Sequence, residues 1–108
     1  MFLARVQGHV VASQKDPSMA GNKLLIVEPL KVQYDEKGGG DFDVTGRAIV
    51  AVDRIGAGAG QLVLIVQGSS ARMTEGCNKM PVDAVVVGLV DEAVVAGKRL
   101  VSGKNAGA

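Results

Sequence analysis

The chain has 108 residues, with 12 Lys and Arg against 11 Asp and Glu and a formal net charge of +1. That balance lacks the basic excess of a nucleic-acid binder and gives no reason to expect an anionic membrane surface as partner. Hydrophobic residues make up 47% of it but aromatics only 3%, so a single core must be built from Val, Leu, Ile and Ala. One Cys excludes an internal disulfide. The opening Met1-Phe2-Leu3-Ala4-Arg5 never builds the apolar stretch of a secretory signal. No apolar run approaches the ~20 residues of a membrane helix. The expectation is a soluble cytoplasmic domain over residues 1–101, followed by a polar, frayed tail at 102–108.

Residues 2–12 alternate. Phe2, Ala4, Val6, Gly8, Val10 and Ala12 fall on one face, and Leu3, Arg5, Gln7, His9 and Val11 on the other. That period of two predicts a half-buried strand with Arg5 and His9 on its polar side. A loop follows, with Pro17 and Gly21 among polar residues. Residues 23–34 are a second strand region in which Pro29, lacking a backbone donor, marks an edge, a bulge or a bend. Residues 35–46 are polar and contain Gly38-Gly39-Gly40, which reads as a flexible hairpin tip. Residues 47–53 predict a third strand, the loop Gly56-Ala57-Gly58-Ala59-Gly60 a tight turn, and residues 61–67 a fourth strand. Ser69 at an N-cap opens one or two helical turns through Glu75. Residues 82–91 are a fifth strand, and residues 92–101 an extension and return about Gly97-Lys98.

Short links and no long helix predict an all-β fold with one short helix, an OB-like five-stranded antiparallel β-barrel. Leu62-Val63-Leu64-Ile65-Val66 and Ala84-Val85-Val86-Val87 are apolar on both faces. An antiparallel strand of a small monomeric barrel keeps its outer face wet. A buried Val or Leu contributes roughly 1.5–3 kcal/mol, so another copy of the chain is expected to cover these outer faces.

Few constellations carry chemistry. The glycine loop reads G-x-G-x-G before a strand, whereas a dinucleotide fingerprint is G-x-G-x-x-G opening a helix. The simpler reading is a turn with positive φ or close backbone approach, including a loop meeting its symmetry copies around an axis. Gly68-Ser69-Ser70-Ala71-Arg72 begins like a nucleophile elbow, but Arg72 replaces the second Gly and nothing places His9 beside Ser69 as a base. Ser69 and Ser70 then cap the following turn, and Arg72 makes a hydrogen-bonded pair within or between subunits. One His and one Cys are too few for a metal site, Cys77 reads as an adventitious thiol, and Asp41 and Asp43 are too sparse for a calcium loop. No catalytic residue, metal or cofactor is expected. The rival class is an OB-fold binding module for oligonucleotide or oligosaccharide, which the scarcity of aromatic stacking residues disfavours.

Five blocks, in order, resemble the vertex proteins of bacterial microcompartments, the pentameric shell family typified by EutN and CcmL. They are LARVQGHVVAS at 3–13, GNKLLIV at 21–27, VAVDRIGAGAG at 50–60, GSSAR at 68–72 and PVDAVVVGLVD at 81–91. The resemblance implies an OB-like barrel with a short helix, assembled as a homopentamer that closes a polyhedral shell beside hexameric shell proteins. It implies a structural role without catalysis, located in the microcompartment shell. It places Gly56, Ala57, Gly58, Ala59 and Gly60 near the five-fold axis, and Gly68, Ser69, Ser70, Ala71 and Arg72 at subunit contacts. Two features depart from the family pattern: Gln61 stands where Glu is common, and the 35–46 segment is longer than usual.

Overall fold

The apolar alternation and the Val-rich runs become strands in the computed structural model, which describes residues 1–12, 22–34, 40–68, 71 and 83–101. The elements are β1 (Phe2–Val10), β2 (Lys23–Tyr34), β3 (Gly40–Val44), β4 (Ile49–Asp53), β5 (Leu62–Gln67), β6 (Ala84–Leu89), β7 (Glu92–Val95) and β8 (Lys98–Val101). Five of them close a barrel in the order β1-β5-β6-β4-β2, with β2 returning to β1. This is the expected OB-like arrangement, with one difference: β4 and β6 pair parallel, Val52 opposite Val85 and Asp53 opposite Val86. The reason is parity. Strand directions cannot alternate all the way around a closed ring of five, so one pair must run the same way.

The inward faces meet in a core of Ala4, Val6, Leu25, Val27, Ala51, Ala57, Val63, Ile65, Ala84 and Val86, with Phe2 and Ile49 packed against it. Cross-strand partners share this face: Ala4 opposes Val63, Phe2 opposes Ile65, and Ile65 opposes Val86. The core is small-residue aliphatic, as the composition required, and each fully buried Val or Leu contributes about 1.5–3 kcal/mol.

Several expectations are corrected. The outer apolar face of the barrel is not left wholly to a second copy. Val52, Val85 and Ala71 form a second buried cluster with Leu24 and Val66, so Ala71 covers part of the barrel's outer face. Arg5 was expected on the polar side of β1 but is only 8% exposed. A bulge at Gln7 shifts the register between Val6 and Gly8, and the strand ends at Val10. Residues 40–44, expected within a flexible tip, form β3 and pair with the far half of β2 from Leu30↔Val44 to Tyr34↔Gly40. Pro29 lies where the pairing of β2 with β1 ends and that with β3 begins, a position that tolerates a missing N–H. The last hairpin turns at Ala96-Gly97, both with positive φ, rather than at Gly97-Lys98. The helical turns expected through Glu75 and the tail 102–108 lie outside the described residues, apart from Ala71. No α-helix occurs among the described residues.

Candidate functional site

The loop at 56–60 joins β4 to β5, and its shape is set by a residue outside it. Asp53, the last residue of β4, is 6% exposed. Its Oδ1 accepts the backbone N–H groups of Ile55 and Gly56 at 3.0 Å each, and its Oδ2 accepts that of Ala57 at 2.8 Å. A short carboxylate hydrogen-bonding backbone two to four residues ahead makes a local turn without a strand ladder. Lys23, opposite Asp53 in the β2–β4 register, donates from Nζ to the carbonyl of Ala57 at 3.0 Å. The Ala57 side chain is fully buried in the barrel core. Its N–H, its C=O and its methyl group are therefore all held.

The second half of the loop is tied to β1. Gly60 donates its N–H to the Val6 carbonyl at 2.8 Å, and Val6 donates to the Gln61 carbonyl at 2.9 Å. Arg5 donates from Nη1 to the Gly60 carbonyl at 3.1 Å. Burial of that guanidinium pulls its pKa below the usual arginine value. Gln61 Oε1 accepts the Gly58 N–H at 2.6 Å, the acceptor role that a carboxylate would also fill at that position. Gly56 and Gly60 have φ of +91° and +86°, which an L side chain rarely adopts. Gly58 has no such constraint; a Cβ built there meets only Gln61 Oε1, at 3.8 Å.

The five loop residues thus separate. Ala57 is core, Gly58 and Gly60 are half-buried, and Gly56 and Ala59 are exposed. In the second segment, Gly68 (φ +68°) donates its N–H to the Asp83 carbonyl at 2.7 Å. Ala71 is fully buried in the outer cluster with Val52 and Val85. Ser69, Ser70, Arg72 and Cys77 lie outside the described residues. His9 is exposed on β1, opposite Leu25. Asp41 and Asp43 cap their own strand, accepting the N–H groups of Phe42 at 2.8 Å and Val44 at 2.9 Å. Among the described residues no group of three or more His, Cys, Asp or Glu side chains is placed to hold a metal.

What these features define is an OB-type barrel whose glycine loop is immobilised from two sides by Asp53 and Arg5. The chain belongs to the family described as ethanolamine utilisation protein EutN/carboxysome, whose model matches residues 1–91. It is 42% identical over 105 residues to the carboxysome shell vertex protein CcmL of Gloeobacter violaceus, covering 97% of each chain. The structure of that protein superposes with a TM-score of 0.77 over 96% of this chain and 99% of the other. The bacterial microcompartment shell vertex protein EutN of Salmonella typhimurium is 44% identical over 98 residues, 91% of each chain. The GrpN pentameric microcompartment shell protein from Rhodospirillum rubrum is 38% identical, with a TM-score of 0.67 over 88% of this chain and 98% of that one.

Proposed function

We infer that this chain is a vertex protein of a bacterial microcompartment shell, a structural subunit that assembles in fives to close a polyhedral protein shell. The observation that carries this reading is its 42% identity, over 97% of both chains, to a shell vertex protein, together with the shared barrel. The geometry of closure gives the role its content. Six-fold tiles pave a flat facet, and five-fold tiles supply the curvature where facets meet. Hexameric shell proteins are therefore the partners proposed for the ring.

Within the ring we place loop 56–60 beside the five-fold axis, with Ala57 as its anchor in the core and Gly56, Gly58 and Ala59 turned outward. The segment 68–72 is assigned to subunit contact. Residual apolar surface supports association: Val50 on β4 and Val87 and Leu89 on β6 keep 50%, 37% and 45% exposure. The proposed role is purely structural, without catalysis.

The test is co-expression with hexameric shell proteins, with and without this chain, imaged by electron microscopy. Closed polyhedra with the chain and open or elongated shells without it support the role. Equally closed shells in its absence overturn it.

A further inference from the structure

Beside the glycine loop the surface carries an open depression of about 300 Å³ bounded by Asn22, Lys23, Asp53, Arg54 and Gly56. The β2–β4 register creates it, because Lys23 opposes Asp53 and so brings residues 22–23 alongside residues 53–54. Two cations border it. Lys23 is held by the neutral carbonyl of Ala57 at 3.0 Å, and Arg54 donates from Nη1 to the side-chain carbonyl of Asn22 at 3.0 Å. Among the described residues neither has a carboxylate within ion-pairing distance; the ion pair found there is that of Arg99 with Glu92. Asp53, the acid that shares the rim, has both oxygens engaged by three backbone N–H groups.

We propose that this depression binds a small oxyanion, a phosphate or carboxylate group, between the ammonium of Lys23 and the guanidinium of Arg54. The chemistry fits the donors. Each cation spends one N–H on a neutral acceptor that fixes its side chain, and keeps further N–H donors for a ligand. A guanidinium presents paired donors that match two oxygens of a phosphate or carboxylate, and an ammonium adds a compact charge. Tethering lowers the conformational entropy lost on binding. The rim is also open at Gly56, where a Cβ would meet no heavy atom within 4 Å. All five residues that bound the depression belong to one chain.

Isothermal titration of the full-length protein with inorganic phosphate, against chloride at matched ionic strength, tests the site. Saturable heat with phosphate is expected, weakened at least tenfold in Arg54→Gln with unchanged oligomer mass, and weakened again in Lys23→Met. Absence of saturable phosphate binding above the chloride control overturns the proposal. So does binding that both variants leave intact. If Arg54→Gln instead breaks the oligomer apart, that cation serves a carboxylate of a neighbouring copy, and the free-anion site is wrong while the assembly reading stands.

Discussion

Lys23 and Asp53 face each other across β2 and β4 and hold opposite ends of one residue: the ammonium takes the carbonyl of Ala57 at 3.0 Å, and the carboxylate takes its N–H at 2.8 Å. A loop built around alternate glycines would otherwise have a wide choice of backbone conformations. Here it is fixed by two side chains on the barrel wall and by a methyl group inserted in the core.

Removing the carboxylate should therefore be felt as stability. Asp53→Ala leaves the Ala57 N–H without its acceptor inside the protein and the Ile55 and Gly56 N–H groups to water. A loss of roughly 2–3 kcal/mol is expected, and Asp53→Asn, which keeps one acceptor oxygen, should lose about 1 kcal/mol. Denaturant unfolding of both variants measures the difference. Equal and negligible losses would show that the clamp does not hold the loop.

The glycines give a graded series. Gly56→Ala and Gly60→Ala force an L side chain to positive φ and should each destabilise the subunit by about 1 kcal/mol. Gly58→Ala meets only Gln61 Oε1 at 3.8 Å and should leave the subunit's stability unchanged. If loop 56–60 crowds a five-fold axis, Gly58→Ala nevertheless weakens the ring, because five methyl groups enter at once. Circular dichroism and oligomer mass, read on the same samples, separate the effects. Rings of unchanged mass and stability in Gly58→Ala would remove the loop from the axis.

A further variant probes the two hairpins outside the barrel. A Cβ at Gly40 on β3 would lie 3.3 Å from the Ala96 Cβ, the Val95 Cγ2 and the Gln33 carbonyl. Gly40→Ala should cost about 1–2 kcal/mol and loosen the β7–β8 hairpin from β3. Hydrogen exchange at the β7–β8 amides should then quicken while the barrel amides stay protected. Unaltered exchange would show that the contact is slack.

The structural role also makes a prediction for the polar side chains with catalytic potential. His9→Ala changes an exposed position and should shift stability by no more than about 0.5 kcal/mol. Neither it nor Cys77→Ala should alter shell closure. A turnover measured in the parent protein and abolished by either of them, or by Ser69→Ala, would contradict the structural reading.

The five barrel strands were legible because each carries either alternation or an unbroken Val-rich run. β3 was not, since Asp41 and Asp43 make it read as loop; their carboxylates in fact bond the next N–H, and Phe42 provides the half-buried side of the strand. Arg5 was misplaced because alternation reports which face a residue takes and not what later packs over that face. Asp53 carried a usable signal, an Asp three residues before a glycine loop, which is the chemistry of a side-chain-capped turn. The burial of Ala57 had no sequence signal, since only the closed barrel brings that loop over the core. The doubly apolar strands carry a second face that the chain itself covers in part, through Ala71 on Val52 and Val85.

Native mass spectrometry of the 108-residue chain at micromolar concentration tests the central claim most directly. A ring of five copies, each of the 11.1 kDa chain mass, is the expected result. A well-folded monomer would contradict the vertex assignment, and a ring of six would contradict the five-fold geometry on which shell closure depends.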